Sequence, residues 1–161
     1  MKMTQVQKIQ SKIGYEFVNP NLLNQAFTRK SYAEEHKNVQ SNVVLEFYGD
    51  KAMELIVMKK MCKAFGRIEE DDFYHSTKEK YALHLVRKKN VCGVNLAEKI
   101  KNIGWYEYLQ MGKGEILQKA NKESSVQENL FEAIIGAVAI DSDWNMDALD
   151  KAVSSMLELE L

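Results

Sequence analysis

Ten residues from Phe131 to Ile140 carry one charge, Glu132, and are apolar on every side of a helix. A helix that is apolar all round has to lie at the centre of the fold, with the remaining elements packed around it. The chain has 161 residues, 45% hydrophobic and 28% charged, enough for one substantial core and short for two. A single domain over residues 1–161 is therefore expected. One proline and eight glycines exclude collagen-like, proline-rich and glycine-serine linker compositions. No run approaches the ~18 uninterrupted apolar residues of a spanning helix. The opening MKMTQVQKIQ has no apolar stretch followed by a small-residue cleavage site. The expected location is the cytoplasm, with no membrane partner.

Apolar residues recur at helical spacing along nearly the whole chain, and no alternating run is long enough for a substantial strand, so the fold class is all-α. A first helix is expected over Thr4 to Ile13, ended by Gly14. Asn19-Pro20 places a cap and then proline at the start of a second, ending near Thr28. A long helix should run from Ser41 or Asn42 to Phe65, with Gly66 as its stop. Two or three more fill Asp72 to Leu109, broken near Asn90–Asn95 and at Gly104. Ser125 and Glu128 have capping-box spacing, which starts the central helix there and carries it to Ile140. A last amphipathic helix spans Asn145 to Leu159.

Cys62 and Cys92 are thirty residues apart, and His36, His75 and His84 are scattered, which fits neither a disulfide framework nor a zinc site. Two partly buried thiols are expected. The net charge is −1, so the total points to no nucleic acid, but its distribution is uneven. Between Lys78 and Lys101 seven basic residues face two acidic ones, a local +5 that leaves −6 elsewhere. Met53, Met58 and Met61 have core-like spacing, and Tyr48, Trp105 and Tyr106 are expected to pack in the core or between subunits.

Glu46 and Asp50 lie four residues apart, one above the other on one face of the long helix, beside Gly49. Stacked like charges destabilise a helix, and glycine in a helix costs roughly 1 kcal/mol relative to alanine. A cation or other partner would offset both, although a solvated acidic face also accounts for the pair. Glu132 sits in the apolar segment, where an isolated carboxylate must be protonated, paired with a base or bound to metal. Gly136 lies one turn from Glu132, and glycines at such points let helix backbones approach closely. If the helices cross there, Glu46, Asp50 and Glu132 converge, with Asn129 as a further oxygen donor. That oxygen-only set suits Mg²⁺, with Mn²⁺ as substitute, and such sites serve phosphodiester hydrolysis.

Leu45-Glu46-Phe47-Tyr48-Gly49-Asp50 and Phe131-Glu132-Ala133-Ile134-Ile135-Gly136-Ala137, with Asp141-Ser142 beyond, resemble the two metal-binding helices of the ribonuclease III endonuclease domain. Ile13-Gly14-Tyr15, Phe17, Leu22-Leu23, Ala26-Phe27-Thr28 and Ser31-Tyr32 fit the family's opening helices. Tyr108 to Gly114 fits the loop before the second motif, and the likeness spans roughly residues 7 to 155 in order. The resemblance implies an all-α domain working as a two-fold homodimer on double-stranded or hairpin RNA, with no small-molecule cofactor. It implies one strand cut per site, leaving a 5′-phosphate, a 3′-hydroxyl and a short 3′ overhang. It also implies that Glu46, Asp50 and Glu132 are three of four catalytic, metal-binding acids.

Asn129 stands where the family usually has aspartate, and Val43 where it tends to have glutamate. A further family glutamate would fall near Glu79 or Lys80, where the match is poor. Glu128, adjacent to Asn129, is assigned to the capping box rather than to the site. The chain ends at Leu161, where a separate RNA-binding domain usually follows, so RNA affinity is expected from this domain alone. Arg87, Lys88 and Lys89, with Lys99 and Lys101, and Lys113, Lys119 and Lys122 are candidate phosphate contacts. Three readings follow: an active metal-dependent endoribonuclease, a catalytically weakened or inactive relative kept as an RNA-binding or ribosome-associated module, and an all-α phosphohydrolase of nucleotides.

Overall fold

A computed structural model describes residues 2–161. The chain forms α1 (Met3–Ile13), α2 (Pro20–Ala26), α3 (Lys30–Glu35), α4 (Val43–Phe65), α5 (Lys80–Asn90), α6 (Gly93–Ile103), α7 (Lys113–Gln118), α8 (Ser124–Asp141) and α9 (Met146–Met156). A small antiparallel hairpin, β1 (Gly66–Ile68) and β2 (Tyr74–Ser76), interrupts the helices and is mostly exposed. The α-helical expectation holds, with this hairpin as an addition at the surface.

The central element is α8. Leu130, Phe131 and the run from Ala133 to Ala139 are buried, and α4, α6, α2 and α9 pack around them. Burying a side chain the size of Leu, Ile or Phe stabilises by about 1.5–3 kcal/mol, so this apolar helix is what the other elements gather on. From α4 come Leu45, Ala52, Met53, Ile56, Val57 and Met61, all at most 2% exposed. Met58, expected in the core, is 47% exposed, because it falls on the opposite face of α4. Trp105 is buried, whereas Tyr48 stands 40% exposed with its ring edge-on to Trp144. Both cysteines are free; Cys62 is exposed rather than partly buried.

The helix ends follow local chemistry. Gly14 closes α1 with φ of 70°, a conformation that favours glycine. Asn19 caps α2 through its side-chain oxygen, which accepts from the Asn21 N–H, and Pro20 occupies the first helical position. Gly66 does follow α4, but in extended backbone that opens β1, so it starts a strand instead of capping a helix. The start of α4 is fastened twice. The Asn42 N–H donates to the Thr28 carbonyl at 2.8 Å, and its Nδ2 to the Ala26 carbonyl at 3.2 Å.

The far end of α8 is also tied. Asp141 accepts from the Tyr15 hydroxyl (2.9 Å) and from the N–H groups of Val18 (2.7 Å) and Asn19 (2.9 Å). Burial, reinforced by the hydrogen bond and charge of Asp141, pushes the Tyr15 phenol up to about 12. The capping box expected at Ser125 and Glu128 does not form. The helix begins at Ser124 after Glu123, with no side chain capping its first N–H groups, and Glu128 is free of that role.

Candidate functional site

The site is built on the crossing of α4 and α8. A Cβ placed on Gly49 would lie 1.7 Å from the Glu132 carbonyl oxygen, and one on Gly136 would lie 1.9 Å from that of Leu45. Only glycine leaves room for main chain to meet main chain, so the two backbones touch at the positions the sequence singled out. Glu46 and Asp50 flank the contact on α4. On α8, Glu132 is the residue whose backbone meets Gly49.

The charges of these acids act on one another. Burial raises the Glu132 carboxyl to about 8, helped by the negative charges of Asp50, Glu128 and Glu46 and opposed by Lys51. The Glu46 carboxyl is also raised, chiefly by burial; the Arg29 charge lowers it and that of Glu128 raises it. Four carboxylates from two helices therefore share one half-buried, negative environment. Their side chains are not gathered on a single point: among the described residues, no three Asp, Glu, His or Cys side chains stand ready to grip one ion. Asp50 turns instead to Lys51 Nζ at 2.7 Å, and Lys51 also reaches Glu54 at 3.4 Å. Asn129 is half-buried on α8, on the turn before Glu132.

Two neighbours of these acids were not assigned to the site from sequence. Glu128 is one turn before Glu132, the same four-residue spacing as Glu46 and Asp50, a signal obscured by its match to a capping box. Arg29, whose charge reaches Glu46, had no motif to mark it. It is held by Glu115, whose Oε1 accepts from Nη2 at 2.9 Å, while the Ser31 hydroxyl donates to Oε2 at 2.7 Å. Burial pushes the Glu115 carboxyl up, but these hydrogen bonds and the Arg29 charge outweigh it and hold it below its ordinary value.

The basic candidates divide. Arg87 is paired with Glu54, and Lys89 with Glu160. Lys88 is exposed on α5 and forms no ion pair among the described residues. Lys113 and Lys119 begin and follow α7; the Lys113 N–H donates to Glu35 Oε1 at 2.9 Å, and Lys119 has a left-handed backbone. They belong to a different segment from α5.

A sequence model of the ribonuclease-III-like family matches residues 19–157. The chain belongs to the ribonuclease-III-like family. It is 46% identical over 152 residues to ribonuclease 3 of Treponema succinifaciens, covering 94% of this chain and 41% of that protein. It is 39% identical over 170 residues to ribonuclease 3 of Roseburia hominis, covering 98% and 47%. The chain thus spans less than half the length of these two relatives. The fold is similar to the nuclease domain of ribonuclease III from Campylobacter jejuni, described with structural flexibility in a region involved in dimer formation. The TM-score is 0.77 and the identity 24%, over 94% of this chain and 95% of that one. Among the described residues no helix is long and apolar enough to cross a membrane.

Proposed function

We propose that this ribonuclease-III-like domain is a divalent-metal-dependent endoribonuclease that hydrolyses phosphodiester bonds of duplex or hairpin RNA. The observation that carries the reading is the glycine-to-glycine crossing of α4 and α8, which sets acidic faces of two helices into one half-buried negative environment. Such a cluster is costly unless a cation offsets it. Its donors are hard oxygens, the chemistry that suits Mg²⁺ or Mn²⁺. Glu46, Asp50 and Glu132 would hold the ion, with the Asn129 amide oxygen beside them. A bound ion supplies Lewis acidity at the phosphate and makes an attacking water more acidic.

The chain's own groups do the rest. Lys88, Lys113 and Lys119, which form no ion pair among the described residues, offset the repulsion between the acids and the RNA backbone. They read phosphate positions, so the preference is for duplex shape over base sequence. Arg29, fixed by Glu115, holds positive charge next to Glu46. Along α4, Val44, Phe47, Tyr48, Leu55 and Met58 are 40–64% exposed, an apolar stripe suited to a second copy of the chain. A two-fold dimer would place two acid sites on one assembly, one per RNA strand.

Asn129 favours a second reading, a catalytically weakened RNA-binding relative, because a neutral amide contributes less to holding a cation than a carboxylate. Hairpin RNA incubated with the protein over a Mg²⁺ and Mn²⁺ series separates the two. The endoribonuclease reading expects metal-dependent cleavage that Glu132→Gln abolishes. Binding without cleavage at every metal concentration, with cleavage appearing in Asn129→Asp, establishes the weakened relative. Cleavage that persists undiminished in Glu132→Gln would refute the assignment of the site.

A further inference from the structure

Glu128 and Glu132 form a second acid pair at four-residue spacing on α8, the helix that crosses the one carrying Glu46 and Asp50 at Gly49 and Gly136. The carboxylate of Glu128 is placed by α6. It lies flat against Gly93, the first residue of that helix: a Cβ there would meet Oε2, Cδ and Oε1 of Glu128 at 2.2–2.3 Å. The N-terminus of α6 has no side-chain cap, and its positive end favours a carboxylate beside it. The helix itself is anchored by Leu96, Ala97 and Ile100, which pack into the core. Glu128 is half-buried, and its carboxylate accepts no hydrogen bond from any described residue. Its charge nonetheless reaches both Glu46 and Glu132. The carboxylate thus occupies space that a single methyl group at residue 93 would fill.

We infer that Glu128, rather than the neutral Asn129, is the fourth negatively charged group of the cation site. The inference rests on the metal-dependent reading proposed above. It makes the site a set of four acids drawn two by two from α4 and α8, with Gly93 of α6 as the backstop for the fourth. The lost charge at Asn129 is then supplied one residue earlier on the same helix.

The test is Mn²⁺ binding to the full chain, read from the paramagnetic resonance signal of free Mn²⁺ without RNA or turnover. Glu128→Gln is expected to weaken Mn²⁺ by roughly tenfold or more, and Asn129→Ala by clearly less. Gly93→Ala gives an independent perturbation. Its new methyl group need displace only the flexible end of Glu128, so the fold persists while the carboxylate moves, and Mn²⁺ affinity is expected to fall as well. If Glu128→Gln does not fold, as judged by its thermal transition, Gly93→Ala decides. Unchanged Mn²⁺ affinity in a folded Glu128→Gln, together with loss in Glu132→Gln, overturns the role of Glu128 and leaves the underlying site intact. Unchanged affinity in Glu132→Gln overturns the site itself.

Discussion

Replacing Gly136 by alanine tests the crossing on which the acid pairs depend. The added Cβ would sit 1.9 Å from the Leu45 carbonyl oxygen, 2.8 Å from its carbon and 3.0 Å from the Gly49 nitrogen. Ordinary contact begins near 3.4 Å, so α4 and α8 must separate by about 1.5 Å. Overpacking a core costs about 1–3 kcal/mol where side chains can yield, and more where they cannot. Here the obstacle is main chain, and separation also loosens Leu45, Met53, Ala133 and Ala137, so about 4 kcal/mol is expected. The better helix propensity of alanine returns about 1 kcal/mol, leaving a net loss of about 3 kcal/mol. For a domain of this size that is a fall in Tm of about 6–12 °C, measurable by calorimetry or circular dichroism. Gly114 in α7 is the control: no atom of the described residues lies within 4 Å of its Cβ position, so Gly114→Ala should be neutral or stabilising by up to about 1 kcal/mol. A Gly136→Ala protein that melts within about 2 °C of the parent would refute main-chain contact at the crossing.

Three further outcomes follow from named groups. Glu132 is raised from 4.5 to about 8, so the folded state keeps a proton that the unfolded chain releases. Stability without metal is therefore full below about pH 4.5 and lost as pH rises toward 8, by about 2 kcal/mol after solvent screening. The Tm difference between parent and Glu132→Gln should grow across that window in favour of the variant; a constant difference would contradict the shift. Glu115 is displaced the other way. Its contribution is present at neutral pH and lost on acidification, so Glu115→Gln should cost about 1–2 kcal/mol near pH 7 and progressively less as pH falls below its ordinary 4.5, read from denaturant midpoints. Asp141→Ala removes an acceptor from Tyr15, Val18 and Asn19. It should destabilise by about 2 kcal/mol and bring the Tyr15 phenol down from about 12 toward its ordinary 10.0 in an ultraviolet titration.

Much of this structure was legible in the chain because strong local signals agreed with the packing. Asn19-Pro20 starts α2, Gly14 ends α1, and the apolar segment around Phe131 lies at the centre. Gly49 and Gly136 marked the crossing because glycine inside a helix needs a reason. What was missed lacked such a signal. Helices α3 and α7 have six residues each and bury none of them, so no apolar stripe announces them. The hairpin strands have three residues each and face mostly solvent, so no alternation reveals them. Glu128 shows a different failure. Its spacing from Ser125 satisfied a capping box that the helix, beginning at Ser124, does not form, and its packing against Gly93 is tertiary, which no local pattern encodes.

The glycine crossing has a consequence for how such a domain can diverge. Because main chain bears on main chain there, the gap between the two acidic faces is a gauge machined into the backbone, independent of rotamers. Individual side chains on the two faces can then change without retooling the frame that holds them. If the proposed ion binds there, its preference can be retuned one side chain at a time while the aperture stays constant.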